Sequence, residues 1–570
     1  MSATITLEKY LSKNKTFVIP EYQRGYVWGK ARKKGEKDSV SYILDDLIQK
    51  FNLDRERDVF LQGVTVSEGE DEIVIIDGQQ RTTFLRFLLK KLEYTGKFDI
   101  RYEVRNESNK FLAEHIDLSG VVEDENDLFQ DVYFFKKTIR LIREKVSTIV
   151  DVTDFLDFLL TKIKFLYIDI PKSEAMTVFA MMNGNRAQML PEEVIKAELL
   201  RLVSLGDTID GPHDAEWLSR EWEYKIVRGR YAREWDKWLQ WWNRDDVRKL
   251  YRCENVMGPL VSTYVQLKKD DVLSLETFKS LCLNNRATKD AAAVAFEGLR
   301  KMQKRFEDAF RDPLIHNLIG LILRTFASEK YRWTFFKWYF TGYKNTQALE
   351  TYADLSLLGL TPMQCGAIAD GVRDDSLEKR VNKAFNEKYE AAYKSISNPL
   401  LYEEKQDWEF ATKWLLRLNM HEDTQLNRFF DFGIWEERSL EHICPKSRVG
   451  HKDENGQWLD GNGNIKSEGE FLLKRDEIER EGGGSEHGIG NLVLFYKNEN
   501  TELGAKNYEE KIKMFFDPKN GFRSRHLVHT VSVFAIPREF SAKSIAENFR
   551  GTLEAFEETY RATMEACNEE

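Results

Sequence analysis

Apolar positions recur along this chain with two different periods, and the change of period divides it. Between Thr16 and about Val203, short β-type runs (Phe17 to Pro20, Val59 to Val66, Glu72 to Asp77, Phe98 to Val104, Phe165 to Ile170) alternate with stretches whose apolar residues fall every three or four positions. That alternation predicts an α/β or α+β domain over residues 1–205. Over residues 206–406 the helical period dominates. There Trp217, Trp222, Trp235, Trp238, Trp241 and Trp242 stand among charges, and Lys330 to Tyr343 is similarly aromatic. Aromatics at helical spacing pack helices together more often than they stack on bases, so this stretch reads as a helical middle. Residues 407–570 return to a mixed pattern, with β-type runs at Leu440 and Leu492, a helical run from Tyr508 to Phe515 and a closing helix from Ser541 to Cys567. Between those runs, His451 to His487 holds seven of the 33 glycines, a density that predicts a mobile loop.

Length agrees with this division into an α+β multidomain chain. At about 150 residues per domain, 570 residues imply three or four domains. The 95 Asp plus Glu against 85 Lys plus Arg leave a net charge of −10. Binding nucleic acid over the whole surface is therefore excluded, and any such contact has to be local. Candidate basic clusters are Lys30, Arg32, Lys33 and Lys34, and, near the C-terminus, Arg523 and Arg525. A solvated charged loop accounts equally well for each. The five cysteines are scattered without a CxxC pair, which supports neither a disulfide framework nor a zinc knuckle and fits a reducing cytoplasm. Neither a signal peptide nor a membrane span is visible.

Two polar constellations interrupt the apolar pattern. In the first, the strand signal Glu72 to Ile76 ends at Asp77-Gly78-Gln79-Gln80-Arg81, after which Phe84, Leu85, Leu88, Leu89 and Leu92 share one helical face. Gly78 permits a tight turn from strand to helix. The first helical turn would attract an anion, with Arg81 as its clamp. An Asp N-cap followed by surface amides explains the same local pattern. A second polar cluster lies upstream, Ile19-Pro20-Glu21-Tyr22-Gln23-Arg24-Gly25-Tyr26-Val27-Trp28. A Walker loop is not among the readings: Gly25 to Lys30 is one residue short and Ala31 replaces the Ser or Thr.

Together the IPxYQRxYxW-like segment and the DGQQR turn resemble the ParB/sulfiredoxin-like N-terminal domain of GmrSD-type restriction systems. Arg101 to Arg105 and Phe179 to Leu200 extend the resemblance over about the first 200 residues, with Asn185-Arg186-Ala187 departing from the family's usual glycine after the arginine. The resemblance implies a domain that binds and hydrolyses nucleoside triphosphates and senses modified DNA. It places Tyr22, Gln23, Arg24, Asp77, Gly78, Gln79, Gln80 and Arg81 around the nucleotide, with Asp77 in the hydrolytic role.

The second constellation pairs Leu440-Glu441-His442-Ile443-Cys444-Pro445 with Gly490-Asn491-Leu492 to Tyr496, then Asn498, Asn500 and the Tyr508 helix. Strand, strand and helix in that order suit a one-metal nuclease, in which an imidazole activates water and few protein ligands leave the ion open positions. A surface or core His beside Glu is the plainer explanation of the first segment alone. The two segments, followed by Lys506, Asn507 and Lys511, resemble the HNH (His-Me finger) nuclease domain of the same systems. That resemblance implies His442 as general base, Asn491 as the residue that orients it or supports the loop, and Glu441 and Asn500 as ligands of Mg²⁺ or Mn²⁺. Cys444 has no partner for a zinc site, and Gly483 to His487 misses a GxSxG elbow by one position.

The combined expectation is a cytoplasmic, nucleotide-dependent endonuclease acting on double-stranded, modified phage DNA, with a sensor, a helical relay and a cutter, and with scope for homo-oligomers. Two alternatives share these residues: a phosphorothioate-sensing nickase of the same plan, and a non-cleaving regulator that uses nucleotide as a switch.

Overall fold

A computed structural model describes residues 2–29, 37–114, 121, 129–175, 178–179, 190–204, 215–253, 256–267, 272–342, 344–371, 375–535 and 540–568. The chain is α+β and forms two compact units. One comprises Met1–Asp245 with Asn255–Lys301, the other Asp246–Glu254 with Met302–Glu570. Among the described residues, no helix is long and apolar enough to cross a membrane.

The first unit is built on a mixed six-stranded sheet made of β1 (Ser2–Thr6), β2 (Thr16–Ile19), β3 (Val59–Glu68), β4 (Glu72–Asp77), β5 (Ile100–Tyr102) and β6 (Ile163–Asp169). Their order in the sheet is β1-β6-β3-β4-β2-β5. β2 lies parallel to β4 and β5, while β3 runs antiparallel to β4 and parallel to β6. The expected runs all carry strands, with β5 shorter than Phe98 to Val104, and β1 is an addition. A close aromatic core fills the unit, including Tyr10, Phe17, Tyr26, Phe84, Phe87 and Phe135. Trp235, Trp238 and Trp242 are buried too, and Trp235 and Trp238 pack on Phe296, so these tryptophans are helix-packing groups.

The second unit is mostly helical. Within it, β7 (Arg438–His442) pairs antiparallel with β11 (Leu492–Tyr496), His442 standing opposite Leu492 and Glu441 opposite Val493. The glycine-rich stretch between them differs from the expected mobile loop. It contains β8 (Val449–Lys452), β9 (Trp458–Asp460) and β10 (Leu473–Lys474), hydrogen-bonded in the order β10-β8-β9, and a helix at Arg475–Glu481. The glycines concentrate in the turns: Gly456, Gly463, Gly482 and Gly484 have positive φ. Asp453 and Asp460 each accept two backbone N–H groups in those turns. High glycine content here marks tight corners between short strands. A second difference follows β11, where the chain turns helical at once, over Lys497–Leu503, before the expected helix at Tyr508–Phe516.

Candidate functional sites

In the first unit the Tyr22 to Trp28 loop and the Asp77 to Arg81 turn lie against each other, and amides hold them there. Gln23 donates to the Ile76 carbonyl at 2.7 Å. Gln79 donates to the Arg24 carbonyl at 2.9 Å. Gln80 donates to the Gly25 carbonyl at 2.9 Å and accepts from the backbone N–H groups of Val27 and Trp28. All three glutamines are buried. Their side-chain N–H donors are joined to backbone carbonyls, so these amides clasp the two loops together.

Gly78 makes the corner. Its φ is +104°, and a Cβ there would stand 2.8 Å from Val64 Cγ1. The helix it starts, Gln79–Lys91, has no side-chain N-cap hydrogen bond. Arg81 turns back onto β3, donating to Gln62 Oε1 at 2.9 Å and the Gly63 carbonyl at 2.6 Å, with Asp77 Oδ2 at 3.4 Å. Those acceptors sit where the register of β3 shifts and Gln62 takes positive φ, so Arg81 fixes the turn against an irregular strand. Tyr22 is buried against Phe179, and its hydroxyl has no hydrogen-bond partner among the described residues. Burial raises its pKa well above the ordinary tyrosine value, and Glu21 adds to the effect. Asp77 and Arg24 are partly exposed, Arg24 lying 3.6 Å from Glu193.

Behind this junction lies an ionic cluster that no local sequence signal marks. Arg105 bridges Asp131 at 3.4 Å and Asp236 at 3.2 Å, and Lys196 reaches Asp236 at 3.0 Å. Asp131 is raised by burial against the opposing pull of Arg105 and Ser108. These residues come from four separate segments and are invisible to spacing arguments. The basic residues Lys30, Arg32, Lys33 and Lys34 lie outside the described residues, as does the loop around Asn185.

The second unit assembles the other constellation. His442 ends β7 and is 7% exposed, and its Nε2 has no hydrogen-bond partner among the described residues. Burial, then the neighbouring His487, Lys446 and Lys511, holds it well below the ordinary histidine range, so it is neutral near pH 7. A neutral imidazole with an open ring nitrogen can accept a proton from water. Asn491 directs its side-chain hydrogen bonds past the ring, to Cys444 and Glu486. It clamps the chain beyond it: Asn491 Oδ1 accepts from Cys444 N at 2.8 Å, and its amide nitrogen donates to the carbonyls of Cys444 and Glu486, each at 2.9 Å.

Glu441 precedes His442 at the end of β7. Glu441 is buried and accepts from Lys511 Nζ at 2.5 Å, and the same ammonium donates to the His442 carbonyl. Burial raises the Glu441 carboxyl, and Lys511 pulls the other way. Asn500, inside the Lys497–Leu503 helix, donates to Ser439 Oγ at 2.6 Å and the Leu440 carbonyl at 3.0 Å. Among the described residues no three His, Cys, Asp or Glu side chains group as a metal cage. One carboxylate and one amide oxygen match a hard cation such as Mg²⁺, which completes its shell with waters and phosphate oxygens, and do not match zinc. Arg523 is half-exposed, ion-paired with Glu437 and stacked on Tyr496 at 3.9 Å. Arg525 donates to the carbonyls of Phe515 and Asp517, which engages its head group at a helix end.

Residues 7–200 match the GmrSD restriction endonuclease N-terminal domain. The matched segment includes both the Tyr22 loop and the Asp77 turn. The chain finds no match among curated proteins.

Proposed function

We propose that the chain is a nucleotide-dependent DNA endonuclease of the modification-dependent restriction class, with an HNH-type hydrolytic site. The observation that carries this reading is the match of residues 7–200 to the GmrSD restriction endonuclease N-terminal domain. The second unit supports it with a buried imidazole of open Nε2 at the end of a strand pair that leads into a helix.

In this reading, His442 Nε2 takes a proton from the attacking water, and the Asn491 clamp keeps β7 and its exit in register. Glu441 and Asn500 would hold Mg²⁺ or Mn²⁺, which supplies charge stabilisation at the phosphate when bound. At the first site, Arg24, Asp77 and Arg81 would face a nucleoside triphosphate. Gln23, Gln79 and Gln80 hold the two loops that frame it. The half-exposed Arg523 would meet a DNA backbone.

Plasmid incubated with Mg²⁺ or Mn²⁺, with and without each nucleoside triphosphate, should be cut or nicked, and modified phage DNA should be cut preferentially. Asp77→Ala should abolish triphosphate hydrolysis, and an unchanged rate would refute the first site. One observation favours the non-cleaving regulator instead, the Lys511 ammonium already seated on Glu441. Intact plasmid under every metal and nucleotide condition would decide for it.

A further inference from the structure

Just beyond His442 the chain makes a tight turn, Lys446–Arg448, whose first side chain has no assigned task. Lys446 is half-buried, and among the described residues its ammonium forms neither a salt bridge nor a hydrogen bond. It rests on the Tyr402 ring, 5.2 Å from the ring centroid. That ring lies 4.3 Å from His442 and 6.2 Å from the buried His487, whose own ring is 5.7 Å from His442. The charge of Lys446 is felt by both imidazoles. Neighbouring cations are neutralised: Lys511 sits on Glu441, Lys466 on Asp460, Lys474 on Glu468 and Arg475 on Glu486. Lys446 alone among these five stands without a carboxylate, beside an imidazole whose Nε2 is open.

The backbone that joins the two groups is held along its length. Asn491 bonds both the N–H and the carbonyl of Cys444, and Pro445 fixes its own φ at −56°. Three successive carbonyls of the turn are then gripped from the glycine-rich insert. The Gly461 N–H donates to Lys446 at 2.9 Å, Lys466 Nζ to Ser447 at 2.8 Å and the Leu472 N–H to Arg448 at 2.8 Å. Gly461 approaches so closely that a Cβ there would stand 2.7 Å from the Lys446 carbonyl oxygen. The insert thus acts as a brace that sets Lys446 relative to His442. With the backbone fixed and the ammonium leaning on an aromatic ring, little ordering remains for an anion to impose.

We infer that Lys446 is a catalytic residue of the hydrolytic site, the cation that holds a non-bridging oxygen of the scissile phosphate. This rests on the nuclease reading. A phosphodiester carries one negative charge. Attack by a water that gives up its proton leaves two on the five-coordinate phosphorus group. A fixed ammonium binds the second state more strongly than the first, so it speeds the chemical step and does more than tighten binding. Partial exposure lets a DNA backbone reach Lys446, and no carboxylate has to be displaced first.

The test gives the full-length protein, with Mg²⁺ or Mn²⁺, two substrates: plasmid DNA, which carries many phosphates, and bis(p-nitrophenyl) phosphate, which carries only the reacting one. Lys446→Gln should lose at least about tenfold in kcat on saturating DNA and at least as much on the small diester, with its unfolding midpoint unchanged. Lys446→Arg, which keeps the charge, should recover most of that loss. A loss confined to the KM for DNA would make Lys446 a contact to a flanking phosphate and overturn the assignment. An unchanged kcat, or an equal loss in Lys446→Arg, would overturn it as well. His442→Ala should lose rate on both substrates. If it does not, or if the wild-type protein cuts neither, the nuclease reading itself fails and the role of Lys446 falls with it.

Discussion

Gln80 illustrates how much a single side chain can hold. Its amide makes three hydrogen bonds to the backbone of the Gly25 to Trp28 loop. Gln80→Ala should therefore destabilise the first unit by about 1–3 kcal/mol and loosen the Tyr22 loop, read as a lower unfolding midpoint. An unchanged midpoint would mean that the clasp contributes nothing. Glu68 makes a different prediction. Burial raises its carboxyl, but hydrogen bonds from Lys13, Lys15 and Tyr167 win and bring it down to about 2. A folded value below the unfolded one, about 4.5, stabilises above pH 4.5, and that stabilisation is lost as the pH falls toward 2. Glu68→Gln should flatten the acid limb of a stability-against-pH curve, and a curve of unchanged slope would contradict it.

At the scale of elements, local patterns were legible and distant ones were not. The turn at Asp77 to Arg81 was readable because strand, glycine and amphipathic helix follow one another within twenty-odd residues. The strands at Leu440 and Leu492 were readable as short apolar runs. The interior of the glycine-rich insert was not, because β8, β9 and β10 are two to four residues long, too short to show a period. His487 carries no local signal for a related reason. Its partners Tyr402, Glu403 and His442 lie far away in sequence, and only folding gathers them. Gly490, just before β11, gives a test at this scale. A Cβ there would stand 2.3 Å from the Ile545 carbonyl and 2.9 Å from Phe549 Cβ, both in the Ala542–Asn568 helix. Gly490→Ala should cost about 1–3 kcal/mol by pushing that helix away. Gly551→Ala, with open space around it, should not destabilise. Equal behaviour of the two variants would refute the close contact.

For the whole molecule, a net charge of −10 and two compact units frame the account. In the proposed reading, acid excess confines DNA contact to local basic groups, and the salt dependence of affinity should scale with their small number. Each unit carries its own constellation: amide-clasped loops within the segment that matches a restriction endonuclease domain, and a pair of buried histidines beside a short strand pair. The central claim is that the second unit hydrolyses DNA through His442. The most direct measurement is the rate of plasmid cleavage with Mg²⁺ or Mn²⁺ by wild-type protein and by His442→Ala of matched thermal stability. The account predicts cleavage by the wild type and a loss of at least about a hundredfold in the variant. Cleavage at the same rate by both proteins would contradict it.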